Sequence, residues 1–109
     1  MRAVRGQDWS MIRGDTLAFS VEIEGLEEDL DTMTFTCRKV NSENILFQKT
    51  LGNGCNKIET GKYRVRVAPE DTNSAQFGTY KIDLQIELNS DRYTILQGTL
   101  KIIEDMTRD

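Results

Sequence analysis

From Tyr80 to Leu88 the chain reads YKIDLQIEL, an unbroken alternation of apolar and polar residues. Tyr80, Ile82, Leu84, Ile86 and Leu88 share one side of an extended backbone, and Lys81, Asp83, Gln85 and Glu87 share the other. A helix repeats its faces about every 3.6 residues, so a period of two held this long demands a strand with one buried and one wet face. The loop before it, PEDTNSAQFG, holds the only proline and closes on Gly78, so the strand is entered from a corner. This stretch is expected to be the central strand of the core.

The same rule organises the rest of the chain. Leu17, Phe19, Val21 and Ile23 alternate with Ala18, Ser20, Glu22 and Glu24. Met33, Phe35 and Cys37 are expected inward, against Thr34, Thr36 and Arg38, and Tyr63, Val65 and Val67 inward, against Lys62, Arg64 and Arg66. Asp8 to Ile12 reads as a short first strand with Trp9 and Met11 on one side, and Ile45 to Leu51 as another. The last strand runs from Arg92 to Ile103 with Leu96, Leu100 and Ile102 inward. Gly98 marks a bulge or close crossing there, and Ile95 and Ile103 fall out of step.

Turn chemistry separates these runs. Arg13-Gly14-Asp15-Thr16 reads as a tight reversal, and Asn41 to Asn44, Gly52 to Gly54 and Asn89 to Asp91 as further turns. The acidic stretch Gly25 to Asp31 reads as a connection between two sheets, and Cys55 to Thr60 as a loop with room for one helical turn. Pro69 ends a strand, and Glu70 to Asn73 suits a single helical turn with acids at its start. The expectation is an all-β antiparallel sandwich or barrel of roughly seven to eight strands. Its 109 residues make one domain, 1–109, with a loose arm at 1–7 and a polar tail at 104–109.

Composition narrows the chemistry. The absence of histidine removes the commonest general base and the commonest zinc ligand together. Two isolated cysteines, Cys37 and Cys55, do not make a zinc site and are expected as free thiols of a cytoplasmically made chain. No catalytic residue, metal or cofactor is expected. A net charge of -4 with scattered Lys and Arg argues against nucleic acid as a partner. No apolar run approaches the roughly 20 residues that span a bilayer, and the N-terminus lacks the apolar core of a signal peptide.

Five features invite a functional reading beside a plainer one. Arg13-Gly14-Asp15 matches an integrin-binding tripeptide, but a turn whose Asp15 bonds its own backbone is favoured. Glu27, Glu28, Asp29 and Asp31 offer oxygens for a weak ion site between subunits, but lack the spacing and glycine of a calcium loop. Asp83 is expected to pair with Arg64 or Arg66 on a neighbouring strand. Lys62, Arg64 and Arg66 form a short basic stripe, either a solvated face or a docking patch for an acidic neighbour. Trp9 is expected in the core or covering an edge.

The run PEDT…GTYKI resembles the loop into strand F of an immunoglobulin-type sandwich. There a tyrosine hydroxyl bonds back to the corner backbone, which the resemblance assigns to Tyr80. Ile82 stands where antibody domains carry their second cysteine, and Trp9 precedes both cysteines, so the chain departs from the antibody pattern. Arg13-Gly14-Asp15-Thr16, Pro69-Glu70-Asp71-Thr72, Tyr80 to Ile86, Gly98 and Glu104-Asp105-Met106-Thr107 follow in order and spacing. That layout is similar to the small immunoglobulin-like domains of tailed bacteriophages, including the N-terminal domain of baseplate upper proteins. The resemblance implies an immunoglobulin-like antiparallel β-sandwich and a non-catalytic structural protein of the tail, baseplate or neck. Its partners would be other phage structural proteins or further copies of itself, and its place the virion, after synthesis in the host cytoplasm. Members often carry a second domain after this tail. The alternative is a carbohydrate- or cell-surface-binding module, which calls for exposed aromatics where most here alternate inward. A small enzyme ranks last, having neither histidine nor a paired acid.

Overall fold

In a computed structural model, residues 4–104 are described; the first three residues of the expected arm and residues 105–109 of the tail lie outside them. The alternating runs become β2 (Leu17–Glu22), β3 (Thr32–Lys39), β4 (Ile45–Leu51), β6 (Lys62–Val67), β7 (Gly78–Leu88) and β8 (Asp91–Ile103). Two more strands, β1 (Val4–Ile12) and β5 (Gly54–Glu59), and one helical turn, α1 (Pro69–Thr72), complete the order. Hydrogen bonding links the strands as β1-β8-β7-β3-β4-β5-β6-β2. The β4–β5 link is only two register pairs long, Thr50 with Gly54 and Leu51 with Cys55. At that corner the ladder folds over, giving one layer of β1, β8, β7, β3 and β4 and another of β5, β6 and β2.

Aromatic contacts fix how the layers meet. Phe19 of β2 packs edge-on against Trp9 of β1 at 4.8 Å and against Phe35 of β3 at 5.2 Å between ring centroids. Each such pair adds about 0.5–1.5 kcal/mol beyond its buried area. Phe35 in turn lies 6.0 Å from Phe47 of β4. The two terminal strands of the ladder thus face each other across the core without hydrogen bonding, so the sandwich stays open at β1 and β2. The inward sets of β3, β6 and β7 are buried as alternation dictates, with Met33, Phe35, Cys37, Val65, Val67, Leu84 and Ile86 fully so. β7 has a hydrogen-bonded neighbour on each side, β8 and β3.

Several local expectations are corrected. Val4 to Gln7 is not a loose arm but the start of β1, which pairs in parallel with β8 at Val4 and Gln7 across a register irregularity. Arg13 to Thr16 is the expected turn, closed by the Asp15 amide on the Ile12 carbonyl at 3.0 Å, but it makes no hairpin, because β1 and β2 lie at opposite ends of the ladder; it carries the chain between layers. Its anchor is Thr72 rather than the side chain of Asp15. The fully buried hydroxyl of Thr72 accepts a 2.9 Å hydrogen bond from the Gly14 amide. Cys55 to Glu59 is a strand, not a loop. Ile58 is an extra residue there, between Lys57 opposite Tyr63 and Glu59 opposite Lys62, and it scrambles the alternation. In β8 the bulge falls at Ile95, not at Gly98: Leu84 faces Leu96 while Gln85 faces Thr94, so Ile95 and Leu96 are both buried. Thr36, expected to be wet, is buried, and its hydroxyl accepts a 3.0 Å hydrogen bond from the Gln48 amide.

Candidate functional site

The outer face of the five-strand layer carries the polar halves of the alternating strands, and register decides which of them meet. One row runs Asp8 of β1, Thr99 of β8, Lys81 of β7 and Arg38 of β3. The next runs Gln97, Asp83 and Thr36. Together with Gln85, Ile82 and Gly98, the first row and Asp83 and Gln97 line an open groove of about 580 Å3. Two carboxylates, two cations, two primary amides and a hydroxyl face a shared space, and the side chain of Ile82 is buried on the opposite, inward face of β7.

Some of these groups are already engaged. The Thr99 hydroxyl donates a 2.7 Å hydrogen bond to Asp8 Oδ1, fixing that carboxylate at the rim. Asp83 is half-buried, and desolvation raises its pKa above the ordinary 3.8, with the nearby Arg38 guanidinium opposing the rise. Arg38 and Asp83 nonetheless form no ion pair among the described residues. The Arg38 Nε is buried without a hydrogen-bond partner. A buried donor left unpaired costs about 1–3 kcal/mol.

The expected pairing of Asp83 with Arg64 or Arg66 does not occur, because β6 lies in the opposite layer and Asp83 faces Thr36 and Gln97 instead. The basic stripe occupies the outer face of that opposite layer. Lys62 is half-buried and its Nζ lies 4.0 Å from Glu22. Arg64 and Arg66 are exposed, and their register neighbours are Ser20 and Asn56 for Arg64 and Ala18 for Arg66. No carboxylate reaches either guanidinium among the described residues.

The remaining candidates are tied into the fold. Arg13 donates to the Ala75 carbonyl at 3.3 Å and stacks its guanidinium 4.3 Å above the half-exposed Phe77 ring. In the acidic connection, Asp29 Oδ1 meets Lys57 Nζ at 2.5 Å, and Glu28 accepts from the Asn89 amide at 3.0 Å. No group of three metal-ligating side chains converges among the described residues. The Tyr80 hydroxyl donates a 2.8 Å hydrogen bond to the Gln76 carbonyl, across the corner into β7. Cys37 and Cys55 are free and buried, and burial pushes their thiols up to about 12 and about 11. For Cys55 a backbone hydrogen bond with Phe35 and the charge of Lys49 partly offset that rise.

Architecture and geometry together define an immunoglobulin-like β-sandwich. Its solved likenesses agree: an immunoglobulin-like domain of mouse leukocyte-associated immunoglobulin-like receptor 1, crystallised as a strand-swapped dimer, superposes with a TM-score of 0.56. That match covers 89% of this chain and 88% of the receptor domain at 9% identity. A putative glycoside hydrolase from Bacteroides vulgatus matches 93% of this chain with a TM-score of 0.54 and 16% identity, but this chain spans only 17% of that protein. No protein-family profile and no curated protein matches the sequence.

Proposed function

We propose that this chain is a non-catalytic docking module, a structural building block of a tailed-phage tail, baseplate or neck. The observation that carries the docking is the unneutralised pair Arg64 and Arg66 on the face of β6, bordered by small or uncharged neighbours in an acidic protein. An acidic surface laid on that face gains attraction without first displacing an internal partner. Another copy offers such a surface in its exposed Glu24, Glu27 and Glu28. Such a contact closes as a two-fold pair where it is reciprocated and otherwise leads to a ring or a stack. The phage assignment rests on the ordered motifs from Arg13-Gly14-Asp15-Thr16 to Glu104-Asp105-Met106-Thr107.

The open edges supply a second route to assembly. Among the described residues β1 is held by hydrogen bonds to β8 alone, and it joins β2 through four residues. An edge strand so placed is free to pair with another chain. The strand-swapped dimer of the mouse receptor domain supports the same kind of association here.

Light scattering across a concentration series tests self-assembly. A discrete oligomer that disperses in Arg64→Glu/Arg66→Glu supports it, and a monomer at every concentration overturns it. Mass spectrometry of particles from a host producing the encoding phage tests the assignment. Stoichiometric recovery of the chain supports a virion role, and its absence refutes one.

A further inference from the structure

We infer that the groove between β1, β8, β7 and β3 is a binding site for a neutral saccharide, gripped through its hydroxyls by Arg38, Asp83, Gln85 and Gln97. This goes beyond docking through Arg64 and Arg66, which lie on the opposite layer.

Size, charge and polarity each narrow the ligand. A groove of about 580 Å3 falls within the roughly 300–1,000 Å3 typical of small-molecule sites. Apolar walls usually dominate such sites, yet here the side chains that face the groove are polar or charged, Ile82 being buried toward the core, so an apolar ligand gains little from entering. Asp8 and Asp83 balance Arg38 and Lys81, so the groove as a whole favours neither an anion nor a cation. Among neutral ligands, the match must both donate and accept hydrogen bonds at several closely spaced points. A sugar hydroxyl donates to a carboxylate such as Asp83 and accepts from a guanidinium or a primary amide. A peptide main chain would instead seek the open strand edges, where backbone groups are unpaired, rather than the face of a sheet.

The unused capacity of the groove points the same way. The Arg38 charge acts on Asp83, yet the two form no ion pair among the described residues. Both line one concavity without an ion pair between them, so a ligand hydroxyl that meets either displaces no internal partner of that kind. Thr99 meanwhile holds Asp8 in place, so one rim is preorganised. Because no aromatic side chain among the described residues lines the groove, stacking contributes nothing and the affinity is expected in the millimolar range.

The test is a titration of the isotopically labelled chain with maltotriose, cellotriose and chitotriose, following backbone amide shifts by nuclear magnetic resonance. At least one saccharide is expected to move amides of Thr36, Lys81 to Gln85 and Gln97 to Thr99 together. Asp83→Asn is expected to weaken that binding about tenfold, the loss of one charge-assisted hydrogen bond. Gln97→Ala, on an exposed side chain that cannot compromise folding, should weaken it as well. Arg64→Glu/Arg66→Glu should leave it unchanged. No shift with any of the three saccharides overturns the inference. Equal binding of trigalacturonate, shifts outside the groove, or undiminished binding in both groove variants would overturn it too.

Discussion

Replacing tyrosine by phenylalanine at two positions separates a hydrogen bond that water can replace from one it cannot. Tyr63 is buried in β6, and its hydroxyl accepts a 3.2 Å hydrogen bond from the buried amide of Leu30, tying the acidic connection to the core. Tyr63→Phe keeps the ring and strands that amide, at a cost of about 1–3 kcal/mol. The Tyr80 hydroxyl instead donates to the carbonyl of Gln76, an exposed residue whose carbonyl can turn to water. Tyr80→Phe therefore costs only the net value of a hydrogen bond, about 0.5–1.5 kcal/mol. For a domain this size each kcal/mol lowers Tm by roughly 4 °C, so Tyr63→Phe should melt well below Tyr80→Phe. Urea unfolding of both variants beside the parent, with m unchanged, measures the difference directly. Equal losses, or a larger loss at Tyr80, would show that burial of the stranded partner does not set the cost.

Three further outcomes are expected. Gly61→Ala should destabilise by about 1–3 kcal/mol in the same assay, because φ there is +81° and an added Cβ would lie 3.2 Å from the Ile23 carbonyl oxygen. A neutral effect would mean that the turn relaxes. Asp83 has a folded-state pKa raised above 3.8 by burial, with Arg38 opposing and Lys81 and Asp8 also bordering the groove. Folding therefore favours its protonated form: its contribution is fully present below 3.8 and declines as pH rises through the raised value. Asp83→Asn should flatten that part of the urea midpoint against pH, and an unaltered profile would assign the dependence to another group. Cys37 and Cys55, with thiols near 12 and 11, should resist a thiol reagent in the native state and react on unfolding. Their stabilising contribution declines as pH rises above the ordinary value of 9.0, and rapid native labelling would refute the burial.

The alternating sequence determined by itself which side chains share a face. Met33, Phe35 and Cys37, or Tyr63, Val65 and Val67, must lie together because successive residues of a strand point opposite ways, a local consequence of backbone geometry. The corner before β7 was legible for the same reason, since proline, glycine and a following tyrosine act over a few residues. Strand neighbours were not legible. Asp83 was expected beside Arg64 or Arg66 and instead shares a groove with Arg38, because pairing joins segments distant in sequence and alternation carries no record of it. β5 stayed hidden because a bulge at Ile58 breaks the period, and the outset of β1 because a parallel partner, rather than its own pattern, makes it a strand. Thr36 looked wet until Gln48 of the next strand covered it. Faces are set by each strand alone; the groove, the corner at β4–β5 and the isolation of Arg64 and Arg66 exist only once the ladder is assembled and folded over.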